Sequence, residues 1–426
     1  MHAEVAAGHL GGESTSIGRR KNAQAVEPGA PVGDSRARRT APERGEPGRP
    51  GLDGRVNSQV GQAEGVTAAS DVELTAMRRA IELAARGVTT TLPNPVVGCV
   101  LLSPEGDLVG EGWHEHAGGP HAEVVALAAA GDRARGATAV VTLEPCAHSG
   151  RTGPCADALL AAGVRRVLIA VPDLSEAAAG GAARLRAGGV DVLMGVLGEE
   201  AAAGNEPWLT ATRLGRPFVT WKFASSLDGR VAAADGSSRW ITGAPARRDV
   251  HRLRAEIDTM LVGVGTVLAD DPHLTVRDAE GRLAPRQPLR VVVDSTGRTP
   301  AGARVRDDAA PTWIATAQEV GGQETVDLPA LLEQLYQRGR RHVLLEGGPR
   351  LAGAMVEAGL VDRVVAYLAP VLLGAGPSVL EGGGITTIAD AWRLDPIEFR
   401  QVGADVRVLA RPRRTSAEPP SPVPAD

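Results

Sequence analysis

From Asp71 onward, apolar residues follow two rhythms that alternate along the chain. Leu74, Met77, Ile81 and Ala84 recur at helical spacing in DVELTAMRRAIELAARG, with Asp71 as a cap candidate and Gly87 as the stop. PVVGCVLLS then runs apolar without a break, as a buried strand does, and PEG turns the chain into DLVGEGW. The pattern goes on to predict a helix from His121 to Ala130, a strand from Thr138 to Leu143 and a helix from Pro154 to Ala162. A strand from Val167 to Val171, a helix over about Ala178–Ala187 and a short strand near Val190 complete the series. Strands and helices in alternation predict a three-layer α/β sandwich over residues 71–196.

Residues 197–216 read as a linker, after which alternation resumes. FVTWKFA, a helix around Ala246–Ala255, TMLVGVG, LRVVVDS, PTWIAT, a helix over Leu328–Gln337, HVLLEGG, a further helix and RVVAYLAPVLLG predict a second α/β domain over 217–412. The Pro-rich tail 413–426 reads as loose. Residues 1–70 carry neither periodicity nor any Phe, Trp, Tyr or Cys, and 17 of them are Gly or Pro. Such a stretch cannot bury enough surface to offset its ordering entropy, so a disordered extension is expected. The arginines at 36, 38 and 39 would suit an interaction tail, although acidic residues are interspersed. A start assigned too far upstream would also explain the segment, since Met77 lies just downstream.

Composition narrows the class. The 426 residues are 43% hydrophobic and carry a formal charge of −5 with both signs mixed, which gives no basic field for nucleic acid. No apolar run approaches the roughly 18 residues of a membrane span, and no signal core opens the chain. Three cysteines are too few for a disulfide framework. The expectation is a cytoplasmic protein without a nucleic-acid or membrane partner.

Two of those cysteines carry chemistry. In GGPHAEVVALAAAG, His121 and Glu123 sit where a loop enters a helix; in TLEPCAHSGRTGPC, Cys146 leaves a strand end and Cys155 opens the next helix. One nitrogen and two sulfurs suit a three-ligand zinc site with a position left for water. Helix N-termini favour the thiolates that ligation needs. Zinc lowers the pKa of a bound water to about 7, and Glu123 is placed to shuttle protons to a leaving amine. The pattern approaches the H-x-E and P-C-x-x-C signature of nucleobase deaminases, with a longer second spacing whose turns fall at Gly150, Gly153 and Pro154. Alternatives are a Cys146–Cys155 disulfide, disfavoured in a reducing compartment, or a structural zinc completed by His148, His114 or His116. Cys99, inside an apolar strand, reads as core.

That longer spacing, with TTTLPNPVVGCV before it and SLDGR, RWITG, GTVLADDPHLTVR and EGGPRLAGA after it, resembles the bifunctional riboflavin-biosynthesis deaminase/reductase family (RibD-type) over about residues 71–412. The resemblance implies a cytidine-deaminase-like sandwich followed by a dihydrofolate-reductase-like α/β domain. It implies zinc-dependent deamination of 2,5-diamino-6-ribosylamino-4(3H)-pyrimidinone 5′-phosphate, then NADPH-dependent reduction of the sugar to a ribityl chain. By motif position it places zinc on His121, Cys146 and Cys155, the proton shuttle on Glu123, and deaminase substrate contacts on Asn94, His114 and Arg151. A turn residue between two prolines is the plainer reading of Asn94, and a surface or supporting residue that of His114. The family's DPNP-like segment is here Asp173, Leu174, Ser175 and Glu176, with Ser175 where an Asn is expected.

In the second domain VGVGT and EGGPRLAGA are two glycine-bearing strand exits, weak signals of nucleotide binding on their own. The resemblance implies NADPH contacts at Ala224, Ser238, Trp240, Thr266, Asp270 and Ser295 and along Gly348, Pro349, Arg350, Leu351, Ala352, Gly353 and Ala354. It implies substrate contacts at Arg254, Leu274, Arg277 and Glu346. Arg254 and Arg277 read as a phosphate clamp, with ordinary surface arginines as the plainer reading. Glu346 and Asp270 read as carboxylates that stabilise a cation or handle a proton, each expected just after a strand. Lys222, on the first strand of this domain, would face substrate if buried. The partner expected is a small pyrimidine ribotide, with a homo-oligomer as a further possibility. A nucleobase or nucleic-acid deaminase with a nucleotide-binding accessory domain is the rival reading, and a module binding pyrimidine nucleotides without turnover is a third.

Overall fold

The computed structural model describes residues 68–413, apart from 149–152, 176–177 and 279. Arg151, Glu176, the extension up to residue 67 and the tail from residue 414 therefore lie outside the described residues.

The first helix, α1 (Asp71–Ala85), is capped by Ser70 rather than by Asp71. The Ser70 hydroxyl accepts from the Glu73 N–H at 3.3 Å, and the Glu73 carboxylate accepts from the Ser70 N–H at 2.8 Å. This reciprocal box at Ser-x-x-Glu satisfies two donors that an Asp71 cap would not reach together. Strands β1 (Gly98–Leu102) and β2 (Leu108–Trp113) form an antiparallel pair. Then come α2 (Ala122–Ala130), β3 (Thr138–Leu143), α3 (Cys155–Ala161), β4 (Arg166–Val171), α4 (Gly181–Ala187) and β5 (Asp191–Met194). The sheet order is β2-β1-β3-β4-β5, parallel from β3 to β5.

Side chains alternate across this sheet. Val100, Leu102, Val140 and Leu168 pack with α1 on one face, whereas Cys99, Leu101, Val141 and Ile169 pack with α2 to α4 on the other. Glycines let the helices approach. A Cβ on Gly112 would stand 2.7 Å from the Ala122 carbonyl oxygen, and one on Gly98 would stand 2.0 Å from that of Ala80. The start of α2, with His121 as its cap, is thereby pressed onto β2.

The stretch expected as a linker is almost wholly helical: α5 (Gly198–Gly204) and α6 (Glu206–Leu214), ended by Gly215 in the left-handed region at φ 65°. Its second domain begins with β6 (Phe218–Ser226) and α7 (Ala244–Ala255). β7 (Thr259–Gly263) stops at Gly263 and gives way to α8 (Val264–Asp270), so TMLVGVG is not strand throughout. β8 (Leu289–Val293), β9 (Thr312–Ala315), the single turn α9 (Ala317–Val320), α10 (Leu328–Gln337), β10 (His342–Leu345), α11 (Pro349–Glu357), β11 (Arg363–Ala369), β12 (Leu394–Val402) and β13 (Asp405–Pro412) follow. The sheet runs β12-β13-β11-β6-β10-β7-β8-β9, parallel from β11 to β9 and closed by an antiparallel hairpin at one edge. Both faces are covered: α10 and α11 pack on one around Trp221, Leu261 and Val291, and α7 on the other around Met260, Val262 and Leu344. Among the described residues no helix is long and apolar enough to cross a membrane.

Candidate functional site

The motif residues of the first domain converge on a cleft of about 550 Å³ lined by Asn94, His114, His121, Glu123, Cys146 and Asp173 among others. His121 caps α2 and Cys155 opens α3, so two facing helix starts deliver them, while Cys146 comes from the loop after β3. The ligand atoms of His121, Cys146 and Cys155 all lie within 4.8 Å of one another. His121 Nδ1 is 3.2 Å from Cys155 Sγ and 3.6 Å from Cys146 Sγ. All three cysteines of the chain are free thiols, which removes the disulfide alternative.

The donor set fits zinc. Cys146 Sγ accepts the Cys155 backbone N–H at 3.3 Å. The Cys155 thiol as donor, outweighing burial and helped by His121, pulls the Cys146 thiol down to about 4. Cys155, left with the shared proton, is pushed up by Cys146 and by burial. One thiolate thus forms readily and opposes the second, a conflict that a dication between them removes. Glu123 stands in the first turn of α2, beside this triangle but outside it, 3% exposed, and burial pushes its carboxyl up.

His114 is buried, and its Nδ1 donates to the Pro120 carbonyl oxygen at 2.9 Å. That carbonyl can only accept, so Nε2 is left to accept from the Asn94 amide at 3.2 Å. Burial, followed by the neighbouring histidines, lowers the His114 pKa and keeps the ring neutral. The two imidazoles meet edge to face, 5.6 Å between centres. Asn94 and His114, read from sequence, are thus brought together with the cluster. Ser175, standing where Asn was expected, closes a local turn: its N–H and hydroxyl both donate to Asp173, at 2.8 and 2.6 Å.

Glu144 and Trp208 are polar or aromatic cleft residues that were not singled out from sequence. Glu144 accepts from the backbone N–H groups of Asp173, Gly180 and Ala182 at 3.2, 3.2 and 2.9 Å, tying the far wall to the end of β3. The signal was an acid directly before Pro145 and Cys146, at the end of an apolar strand. Trp208 also lines the cleft, although it lies on α6, in the stretch taken for a linker.

In the second domain some expected residues lie on or soon after parallel strands: Lys222 and Ala224 on β6, Thr266 after β7, Ser295 after β8 and Glu346 after β10. Glu346, directly after β10, accepts from Arg254 Nε at 2.7 Å and Nη2 at 2.9 Å, and Lys222 Nζ stands 3.7 Å away. Burial pushes the Glu346 carboxyl up, but Arg254 and Lys222 outweigh it and hold it at about 2. Burial also lowers the Lys222 pKa, against the pull of Glu346. Arg254 donates besides to the Thr275 carbonyl oxygen at 3.4 Å, so its fork faces Glu346 and not open solvent as a free phosphate clamp would. Arg277 donates to the Gly281 carbonyl oxygen at 2.7 Å across its own loop.

Other placements differ from expectation. Asp270 ends α8, a helix away from its strand, because Val264 starts helix at once after Gly263. Leu274 is buried in the core at φ 51°. Ala352 is core, and Gly353 meets the Glu381 carbonyl oxygen, which a Cβ would approach to 1.9 Å; one face of α11 thus points inward. Ala354 and Arg350 face out, with Arg350 paired to Glu381 at 3.0 Å. Pro349 is the first residue of α11, and the partly buried Leu351 packs on Gly347 and the core. Gly348 caps α11 opposite Thr266, whose hydroxyl would lie 3.6 Å from a Cβ there. Ala224 lies on β6, Ser238 is half-buried, and Ser295, after β8, accepts from the Val326 N–H at 3.2 Å. Trp240 is exposed beneath the Arg247 guanidinium, 4.4 Å from its ring centre.

Comparison with known proteins agrees on both halves. Residues 70–171 match the cytidine and deoxycytidylate deaminase zinc-binding region, and residues 217–408 match the RibD C-terminal domain. The riboflavin biosynthesis protein RibD of Mycobacterium tuberculosis H37Rv is 49% identical over 334 residues, covering 78% of this chain and 95% of its own. That of Escherichia coli K12 is 46% identical over 355 residues, covering 78% and 96%. Among solved structures, Acinetobacter baumannii RibD superimposes with a TM-score of 0.74 at 40% identity, over 80% of this chain and 99% of that one. The Thermotoga maritima diaminohydroxyphosphoribosylaminopyrimidine deaminase/5-amino-6-(5-phosphoribosylamino)uracil reductase gives 0.72 at 34%, over 80% and 99%.

Proposed function

Since this chain belongs to the RibD-type family of bifunctional riboflavin-biosynthesis deaminase/reductases, we propose that its two sites act in turn on one pyrimidine ribotide. The first hydrolyses the exocyclic amine of 2,5-diamino-6-ribosylamino-4(3H)-pyrimidinone 5′-phosphate and releases ammonia. The second reduces the ribosyl group of the deaminated product to a ribityl chain. The observation that carries this reading is the triangle of His121, Cys146 and Cys155 with buried Glu123 beside it.

His121 Nδ1 and the two sulfurs would hold zinc, which when bound supplies an acidified water. Glu123, outside the ligand set, takes up a proton in the cleft and returns it to the nitrogen that leaves. Burial raises its pKa, which favours its holding that proton. His114, fixed as a neutral ring, and Asn94 orient the pyrimidinone edge.

NADPH, when bound, supplies the hydride. Thr266 and Gly348, which face each other across two helix starts, support a cofactor phosphate there. Glu346 stays ionised beside Arg254 and Lys222, which suits stabilising positive charge on the opened sugar rather than donating a proton. Lys222 is the member of that cluster able to give one up. The apolar side chains exposed along edge strand β12, Leu394, Ile397 and Phe399, support a homo-oligomer. The free thiols support a reducing, cytoplasmic setting.

Purified protein incubated with the diamino-pyrimidinone ribotide is expected to release ammonia without NADPH, and to consume NADPH only as the deaminated product accumulates. NADPH consumption with no ammonia would refute the order of sites, and ammonia from a zinc-free preparation at the full rate would refute the zinc-dependent reading of the first.

A further inference from the structure

Helix α6 opens with residues that face different parts of the molecule. Asn205, its N-cap, is buried; its side-chain amide accepts from the Val96 N–H at 2.8 Å and donates to the Val96 carbonyl oxygen at 2.6 Å. Val96 directly follows Asn94 and Pro95, which line the deaminase cleft. Glu206, the next residue, turns to the reductase sheet, where it pairs with Arg411 Nε at 2.7 Å and with Arg363. Trp208 lies three positions beyond Asn205, the spacing that puts side chains on one helix face. Trp208 is among the residues that line the cleft.

That ring belongs to none of the hydrophobic clusters among the described residues. Of the three imidazoles lining the cleft, His114 is engaged by Pro120 and Asn94 and His121 by the sulfurs, while His148 is exposed. Trp208 is the largest aromatic side chain among the described lining residues and the only indole there. A large apolar ring left out of every core, yet fastened at a cleft wall, has its natural complement in a planar heterocycle.

We propose that Trp208 is a substrate-contacting specificity residue of the deaminase, presenting an aromatic plane to the pyrimidinone ring from the helix that joins the two domains. The inference rests on the deaminase reading above.

Ammonia release by the full-length zinc-loaded protein tests it through two variants. Trp208→Leu keeps apolar bulk without the plane, and Trp208→Phe keeps a plane. The Leu variant is expected to raise the KM for the diamino ribotide roughly tenfold to a hundredfold with kcat within about threefold. The Phe variant is expected to stay within about threefold of the unaltered protein in both. Zinc content, and NADPH consumption on the deaminated substrate, should not change in either. An unchanged KM in Trp208→Leu, or a loss confined to kcat, would overturn the proposal. So would loss of zinc in Trp208→Leu, which would mark the ring as a structural prop. If the unaltered protein releases no ammonia at all, it is the deaminase reading that fails.

Discussion

Arg254 grips Glu346 through two nitrogens, at 2.7 and 2.9 Å, and both side chains are largely out of solvent, 18% and 9% exposed. An ion pair in that position holds a charge where the sugar must react, and it makes each partner depend on the other. Removing Arg254 leaves the carboxylate with Lys222 alone. Arg254→Met is therefore expected to destabilise the reductase domain by about 3–5 kcal/mol and to slow NADPH consumption. Chemical denaturation and an NADPH absorbance assay measure the two effects, and deamination should survive under native conditions.

The same carboxylate carries a pH dependence. Its folded value of about 2 lies below the ordinary 4.5, so the unfolded chain takes up the proton first as pH falls. The contribution, about 3 kcal/mol, is complete above pH 4.5 and is lost as pH drops toward 2. The stability difference between the unaltered protein and Glu346→Gln should therefore shrink from pH 7 to pH 3. A difference that stays constant over that range would contradict the assigned ionisation. At pH 7, Glu346→Gln should bind NADPH but reduce poorly.

In the deaminase, ligand and proton carrier should separate cleanly. Cys155→Ser is expected to lose zinc and ammonia release together, because the described residues offer three donors for the ion and this removes one. Glu123→Gln should retain about one zinc per chain and still lose turnover by a factor of roughly a hundred or more. Metal analysis beside an ammonia assay distinguishes them; zinc loss in Glu123→Gln would make Glu123 a ligand. Reduction of the deaminated substrate should be unaffected in both.

Gly112 offers a test of packing. A methyl group there meets the Ala122 carbonyl oxygen and the Ala126 nitrogen at 2.7 Å. Gly112→Ala should push α2 off β2, cost about 1–3 kcal/mol, and displace His121 and Glu123. Ammonia release should fall well before NADPH consumption does.

The sequence made most of the sheet strands legible because buried strands such as β1, β3 and β4 are mostly apolar and helices break them at regular intervals. It hid the closing hairpin, since β12 is exposed almost along its whole length and has no inside face to show a period. The metal triangle was legible because helix starts and a strand end place His121, Cys146 and Cys155 by local rules. Trp208 was not, since its position depends on Asn205 meeting a backbone 109 residues away. Nor was the Arg254–Glu346 pairing, formed across 92 residues, which turned an expected phosphate clamp inward.

The two hydrogen bonds between Asn205 and Val96 also bear on how this chain can be dissected. A deaminase fragment ending at residue 196 would leave the Val96 N–H and carbonyl bare beside its own cleft, and would discard one wall of it. An excised deaminase should accordingly run through Gly215, where α6 ends in a left-handed turn. A reductase begun at Arg216 would keep the bidentate pairing of that residue with Asp362, while leaving Arg363 and Arg411 to do without Glu206. The helix that looks like a tether thus goes with the first catalyst as a working part, and the second gives up the part-buried pairing of Glu206 with Arg363.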